Sequence, residues 1–450
     1  MEEVPEYRVF YNVDELNANS ERLAHQHPSK AKLFPIGKSR NGEQIKALQI
    51  GKGKNTALLV GFPHPNEPIG SMTLEYLSWC IAEDQLLGEF DFTWYIVKCI
   101  DPDGARLNEG WFKGPFTPLN YALNYYRPPG YQQAEWTFPI RYKTLVWDRP
   151  IPETRALMKT IQDTKPRFMY SLHNSGFGGV YFYLSAPCKP LYSKLQDLAE
   201  KENLPLHLGE PEVPYAKALA KAIFKMPSSS DEYEFMKKNG KKDPAKIINY
   251  GTCSADHARK VAGTFSLVCE TPYYYDPKIG DTSQSDVTRR EAVMYSINLA
   301  EERHNFAKQK YLEVKRNLRG CKQKKPFIDA VEEYLKHFPD ALKIQKHWAE
   351  TDLKLKRKAT VAEKFDSYVI SRFYGLLSLG LLYRCVKKTG NENVEKEVLQ
   401  HVKEWNRELE NQLSYKVIPI RSVVKVQLGS GLATAEWIRT LCRKTDYSRA

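Results

Sequence analysis

Two imidazoles and two carboxylates stand where they could do hydrolytic chemistry together. His64-Pro65-Asn66-Glu67 follows directly on the apolar run Thr56–Phe62, so an imidazole and a carboxylate three residues apart leave a strand end from one side of a turn. Such a pair offers a divalent cation two ligands, and a catalytic zinc site needs a third protein ligand and an open position. His173 is the candidate third ligand: it follows the apolar run Arg167–Leu172 and enters the loop Asn174-Ser175-Gly176-Phe177-Gly178-Gly179. Glu270 follows a third run, Thr264–Cys269, and offers itself as general base and acid. His-x-x-Glu alone says little. His207-Leu208-Gly209-Glu210 repeats it ahead of Pro211 and Pro214, in an irregular segment, and there it reads as structural. Three strand ends presenting His, Glu, His and Glu to one face are far more specific than either copy.

Side chains from such distant segments must be positioned by a sheet. Open α/β sheets bind ligands beyond the carboxyl ends of their strands. Thr56–Phe62, Phe92–Ile100, Arg167–Leu172, Tyr181–Leu184 and Thr264–Cys269 are short, apolar and rich in β-branched or aromatic residues, and read as strands. Pro68–Leu77 and Glu153–Asp163 carry apolar residues at helical spacing between them. The alternation predicts an α/β fold: a mixed, mostly parallel twisted sheet flanked by helices. After about residue 290 the texture changes. Arg289–Leu318, Phe327–His337, Val361–Val386 and Val394–Leu413 read as helices, and Lys416–Leu428 alternates like a strand. The expected division is a catalytic domain over residues 1–300 and a basic, mainly helical C-terminal domain over 301–450.

The composition fits that division. The chain has 450 residues, 42% hydrophobic and 27% charged, which excludes a disordered, fibrous or disulfide-stapled miniature protein. Its net charge of +13 invites a nucleic-acid reading, but residues 301–450 hold 31 Lys/Arg against 19 Asp/Glu, leaving the first 300 nearly neutral. The tail also interleaves its lysines with Glu395, Glu397, Glu404 and Glu408, and Lys354–Lys358 reads as a solvated helix face. Nucleic acid is therefore disfavoured as a partner, and the tail is a candidate surface for a second copy of the chain. The acidic start Met1–Glu6 lacks a secretory pattern, and the most apolar run, Tyr374–Leu382, reads as a buried helix, so no membrane partner is expected. Eight scattered cysteines without a Cys-x-x-Cys pair are expected to be reduced, in the cytoplasm.

His64-Pro-Asn-Glu67, Asp101-Pro-Asp-Gly104, Ser171-Leu-His173 and the segment from Asp256 to Glu270, in that order, resemble the zinc carboxypeptidase family. The match covers roughly residues 40–300, and the chain looks like a divergent, bacterial-type member with a helical extension. The resemblance implies one Zn2+ per chain held by His64, Glu67 and His173, with a water as nucleophile whose proton Glu270 takes and later passes to the leaving amine. It implies that Arg106, in Arg106-Leu-Asn108, stabilises the oxyanion, with Arg127 as the rival. It further implies that Tyr250 caps the substrate and that Ala255 lies at the floor of the specificity pocket.

Several positions depart from the family pattern. Glu135-Trp136 stand where the family places the Asn-Arg pair that clamps a substrate carboxylate. A glutamate repels a carboxylate and attracts an amine or guanidinium, so either Arg127 or Arg141 clamps instead, or the substrate has no free carboxylate there. The second is the preferred expectation. Asp101 replaces an Asn, and His257 a Trp, both adding polarity near the expected cleft. Three functions compete: a zinc hydrolase of amide bonds in a peptide or peptide-like substrate; an N-acyl amino acid deacylase of the succinylglutamate desuccinylase and aspartoacylase type; and a non-catalytic or nucleic-acid-binding module using the basic tail.

Overall fold

The computed structural model describes residues 3–83 and 90–447, with side chains to 441; Cys442 therefore lies outside the described side chains. Nine strands form the main sheet: β1 (Ala31–Lys38), β2 (Gln44–Ile50), β3 (Asn55–Val60), β4 (Phe92–Val97), β5 (Phe168–His173), β6 (Tyr181–Leu184), β7 (Lys217–Ala220), β8 (Ile223–Lys225) and β9 (Phe265–Glu270). Their order is β1-β2-β4-β3-β5-β9-β6-β8-β7. The sheet is mixed, as expected. The run β4-β3-β5-β9 at its centre is parallel, while β1, β2 and β7 pair antiparallel at the edges and β6 runs antiparallel to β9.

The five anticipated strands form within two or three residues of their expected bounds, and the edge hairpin β1–β2 was not anticipated. Alternation along β3 explains why the sheet is covered on both faces. Ala57 and Leu59 enter one core with Leu48, Ile96, Tyr170, Leu172, Leu267 and Cys269. Leu58 and Val60 enter another with Ile45, Val97 and Met169. Helices α1 (Val13–Gln26) and α2 (Ile69–Ala82) cover the first face; α3 (Pro152–Thr164) and α4 (Ser254–Ala262) cover the second.

The C-terminal third does not stand apart. The division expected at residue 300 falls inside α5 (Arg289–Val314), which runs unbroken through it behind a Thr288/Glu291 capping box. Then come α6 (Lys325–Thr351), α7 (Ser371–Val386), α8 (Glu392–Glu410) and α9 (Ile420–Tyr447). The strand expected over Lys416–Leu428 is corrected: only Lys416–Val417 is extended, and Val423, Val424 and Val426 are buried on α9. Tertiary burial overrides the β-propensity of valine there. These residues and the buried side chains of α7 belong to the same hydrophobic core as the sheet and α2.

Val361–Val386, which contains α7, is long and apolar enough to cross a membrane by length and composition, and 67% of its most apolar window is buried inside the protein. It packs tightly at Gly380, where an added Cβ would lie 2.0 Å from the carbonyl oxygen of Ala122. The seven described cysteines are free thiols.

If tail and sheet share one core, the protein unfolds in a single calorimetric transition. Gly380→Val should lower that transition as a whole, by ~1–3 kcal/mol or more since the clash is with backbone. Two separate transitions, only one of them moved by the substitution, would show independent units instead.

Candidate active site

The carboxyl ends of three parallel strands build the site. The chain leaves β3 at Val60 and turns sharply at the fully buried Phe62, whose φ of 50° is a strained conformation for a bulky residue. That turn carries His64 and Glu67 back over the sheet end before α2 begins. Gly70, in the first turn of α2, packs so tightly on β5 that a Cβ would lie 2.5 Å from the Cβ of Leu172. β5 and β9 pair in parallel register, with His173 opposite Glu270. The next partner across is Tyr181 on β6, opposite Glu270. His173, Glu270 and Tyr181 therefore stand in one row across the sheet.

His64, Glu67 and His173 bring one ligand atom each to within 4.8 Å of one another, all buried. Glu67 Oε2 lies 3.1 Å from His173 Nδ1, and Glu270 Oε1 lies 3.8 Å from the same nitrogen. Burial pulls the His173 imidazole down, but the hydrogen bond to Glu67 and the charges of Glu67 and Glu270 outweigh it, taking it to about 9. Burial raises Glu270 well above the usual carboxylate range against the pull of His173, and holds His64 well below the usual histidine range. His64 Nδ1 is buried without a hydrogen-bond partner. Two imidazoles and a carboxylate, one of them with an unused buried nitrogen, form a donor set that suits zinc.

Behind the ligands, Ser171 Oγ lies 3.0 Å from His173 Nε2 and 3.4 Å from Glu135 Oε2, and Asn174 N donates to Glu67 Oε2 at 3.3 Å. Such outer partners orient metal ligands. His64, Glu67 and Glu270 line a cavity of about 470 Å³, with His173 directly behind them, and α5, α6 and the segment Asp366–Leu377 supply further wall. That segment opens with one turn of π-helix, Asp366–Ile370.

The zinc carboxypeptidase family model matches residues 16–273. The chain belongs to the zinc carboxypeptidase family. Among curated relatives it is 30% identical over 107 residues to carboxypeptidase B of Astacus astacus, covering 22% of this chain and 35% of that one. It is 32% identical over 97 residues to an inactive metallocarboxypeptidase of Ajellomyces dermatitidis, covering 18% and 16%. The chain thus spans about a third or less of the length of these relatives. Carboxypeptidase A from Helicoverpa armigera, a solved structure, aligns at 15% identity with a TM-score of 0.38, over 59% of this chain and 66% of that one.

Against the zinc carboxypeptidase pattern, the structure brings His64, Glu67, His173, Glu270 and Arg127 together and places the other expected residues elsewhere. Arg106 is corrected: it lies on the surface, with Asp14 at 2.6 Å and Glu43 at 2.8 Å, held there by two carboxylates the sequence pattern did not reveal. Arg127 lines the cavity with Nη1 3.2 Å from Glu67 Oε1, on a loop that Arg384 of α7 anchors through the carbonyls of Leu107, Asn124 and Tyr125.

Glu135 is corrected as a substrate contact. It is buried and accepts from Ser254 N and Oγ, so its charge is spent behind His173. Trp136 packs at a ring distance of 6.0 Å from Tyr250, and Tyr250 donates to Glu232. Neither they nor Ala255, buried on α4, line the cavity. Asp101 and His257 are also away from it: Asp101 pairs with Arg40 at 3.1 Å, and the His257 ring packs on Phe138. His207 and Glu210 serve structure, through Asp366 and Arg289 respectively, but they do line the cavity.

One residue that sequence reasoning missed is Gln427 on α9. Fully buried, its Nε2 donates to the carbonyls of His173 (2.7 Å) and Cys269 (3.4 Å), and its Oε1 accepts from Thr73 of α2 at 2.9 Å. One side chain thus ties together the strand ends that carry His173 and Glu270. A lone amide inside a valine-rich run was the available signal.

His64→Ala or His173→Ala should abolish stoichiometric zinc, measured by metal analysis after dialysis; full zinc retention in both would refute the ligand set. Gln427→Leu leaves buried partners unsatisfied and should cost ~1–3 kcal/mol of stability. It should also weaken zinc binding in a competition titration; unchanged affinity would confine it to a structural role. For Asp101, burial outweighs the pull of Arg40 and raises the carboxyl to about 6. Its stabilising contribution is then complete below about pH 4 and lost as pH rises through about 6. The melting temperature of Asp101→Asn relative to the natural chain should therefore rise by a few degrees between pH 4 and 8, and a fall would contradict the sign.

Proposed function

We propose that the chain is a zinc-dependent hydrolase that cleaves an amide bond in a peptide or peptide-like substrate, with Glu270 as general base and then general acid. The observation that carries this reading is the row that sets Glu270 opposite His173 of the His64, Glu67 and His173 donor group, with His64, Glu67 and Glu270 lining one cavity. A bound Zn2+ would supply Lewis-acid chemistry at those donors.

The remaining work falls to side chains of this chain. Glu270, at the cavity wall, can accept a proton from an attacking water and return it to the amine that leaves. Its raised affinity for a proton suits the second half of that task at neutral pH. Arg127 replaces Arg106 as the cation placed to stabilise an oxyanion, since it is the arginine that lines the cavity. Ser171 and Glu135 behind His173, and Asn174 against Glu67, hold the donors in orientation.

Recognition of the substrate end differs from a carboxylate clamp in this reading. Beside the donor His64, the basic side chains that line the cavity among the described residues, Arg127 and His207, are already paired, with Glu67 and Asp366. The deacylase alternative is not favoured, because an acidic acyl amino acid would need free arginines aimed into the same space. The nucleic-acid reading loses support as well, because many tail cations sit in ion pairs, among them Arg372 with Glu408 and Lys346 with Glu301.

The deciding experiment pairs free-acid and C-terminally amidated forms of the same peptides with the zinc-loaded protein. Cleavage of amidated forms is expected. Cleavage restricted to free acids would restore an ordinary carboxylate clamp. Glu270→Gln should keep zinc and lose ~10²–10⁴-fold in kcat; undiminished turnover would remove Glu270 from the chemistry.

A further inference from the structure

We propose that Glu212 reads a cationic group on the substrate, an amine or guanidinium, seated against the rings of Tyr181 and Tyr374. The inference rests on the amide-hydrolase reading and assigns that site its substrate class.

The argument begins with the row on the sheet. Tyr181 lies opposite Glu270, and Tyr183, two residues on, lies opposite Val268. Residues directly opposite in a ladder share a face, as do alternate residues along a strand, so both phenols rise on the face that carries Glu270. Both tyrosines are buried, and both hydroxyls meet Glu212 Oε2, Tyr183 at 3.0 Å and Tyr181 at 3.5 Å. Glu212 itself is exposed and lines the cavity. Two fixed phenols thus hold one carboxylate at the cavity rim, beside the strand of the general base.

Its charge is the one left over. Each of the other acids around the cavity has a cationic partner or a place among the metal donors. Glu67 pairs with Arg127, Asp366 lies 3.5 Å from His207, Glu210 meets Arg289 through two hydrogen bonds, and Glu270 faces His173. Among the described residues no cation pairs with Glu212; its partners are neutral hydroxyls. A carboxylate held by neutral donors gains from an incoming cation, and aromatic faces add cation–π attraction. Tyr374 supplies such a face from the helical third: it is 45% exposed although its neighbours Phe373 and Leu376 are fully buried, and it lines the same cavity. Glu212, Glu270 and Tyr374 all line this one cavity.

The test uses the full-length, zinc-loaded protein and amide substrates identical except for one side chain beside the scissile bond: lysine or arginine, norleucine, or glutamate. The cationic members should exceed norleucine at least tenfold in kcat/KM, mainly through KM, with glutamate lowest. Glu212→Gln should reduce the cation-to-norleucine ratio at least tenfold, and Glu212→Lys should invert the order in favour of glutamate. Tyr374→Leu should reduce the ratio severalfold. Equal rates across the series, or a ratio unmoved by Glu212→Gln, would overturn the inference while leaving amide hydrolysis standing. If no substrate is cleaved, the hydrolase reading fails, and calorimetry of the same peptides with the zinc-loaded Glu270→Gln protein still decides this one. Tighter binding of the cationic peptides, lost when Glu212→Gln is added, supports it; indifference to charge overturns it.

Discussion

The in-register parallel pairing of Phe168–His173 with Phe265–Glu270 is the constraint on which the rest of the site depends. Side chains alternate along a strand, so a slip of one residue would send His173 or Glu270 to the opposite face and leave the other without its neighbour. The register is therefore held from more than one direction. Gly70 lets the first turn of α2 lie on Leu172, the residue before His173. Gln427 bonds the carbonyls of His173 and Cys269 from beneath. Asn174 bridges the backbone N–H of Ile69 to Thr271 just beyond Glu270. A buried network of this kind is costly if any member is unsatisfied, and that cost is what makes the arrangement unique.

Gly70 lies on α2 and Asn174 just beyond β5, while Gln427 comes from the helical third. That third contributes to the site from two sides. α9 braces the strand ends within the core, and α5, α6 and the segment Asp366–Leu377 wall the cavity above them. Part of its positive charge is engaged in the process. Lys310 pairs with Glu313 and Glu397, Arg372 with Glu408, and Arg384 spends its guanidinium on three carbonyls of the loop carrying Arg127. Ion pairing leaves the net charge of +13 unchanged, but it gives these particular cations a structural task.

The cavity has an electrostatic direction. His64 and Glu67 of the donor set stand with Arg127 along its lining, while Glu212 meets the hydroxyls of Tyr181 and Tyr183 and, among the described residues, no cation. Glu135, which the sequence suggested for the acidic role, is spent behind His173 instead.

Much of the chemistry was legible in the sequence because it depends on local order: apolar runs of strand length, each followed at once by His or Glu, can only place those groups at strand ends. The α/β class and the family resemblance followed from the same runs. What the sequence could not carry was anything decided by contacts between distant segments. Arg106 and Arg127 look equivalent in isolation; only Asp14 and Glu43 on one side and Glu67 on the other separate them. Lys416–Leu428 has the alternation of a strand, yet the open face of α2 and the sheet buried its valines on a helix. Glu212 sits in a proline-flanked segment with no periodic signal, and only the fold brings it to Tyr181 and Tyr183. Sequence determined which groups could react, because residue type and spacing set local geometry. Tertiary structure decided which of them share a cavity and which charges remain unpaired there, because burial and ion pairing are set by neighbours tens to hundreds of residues away.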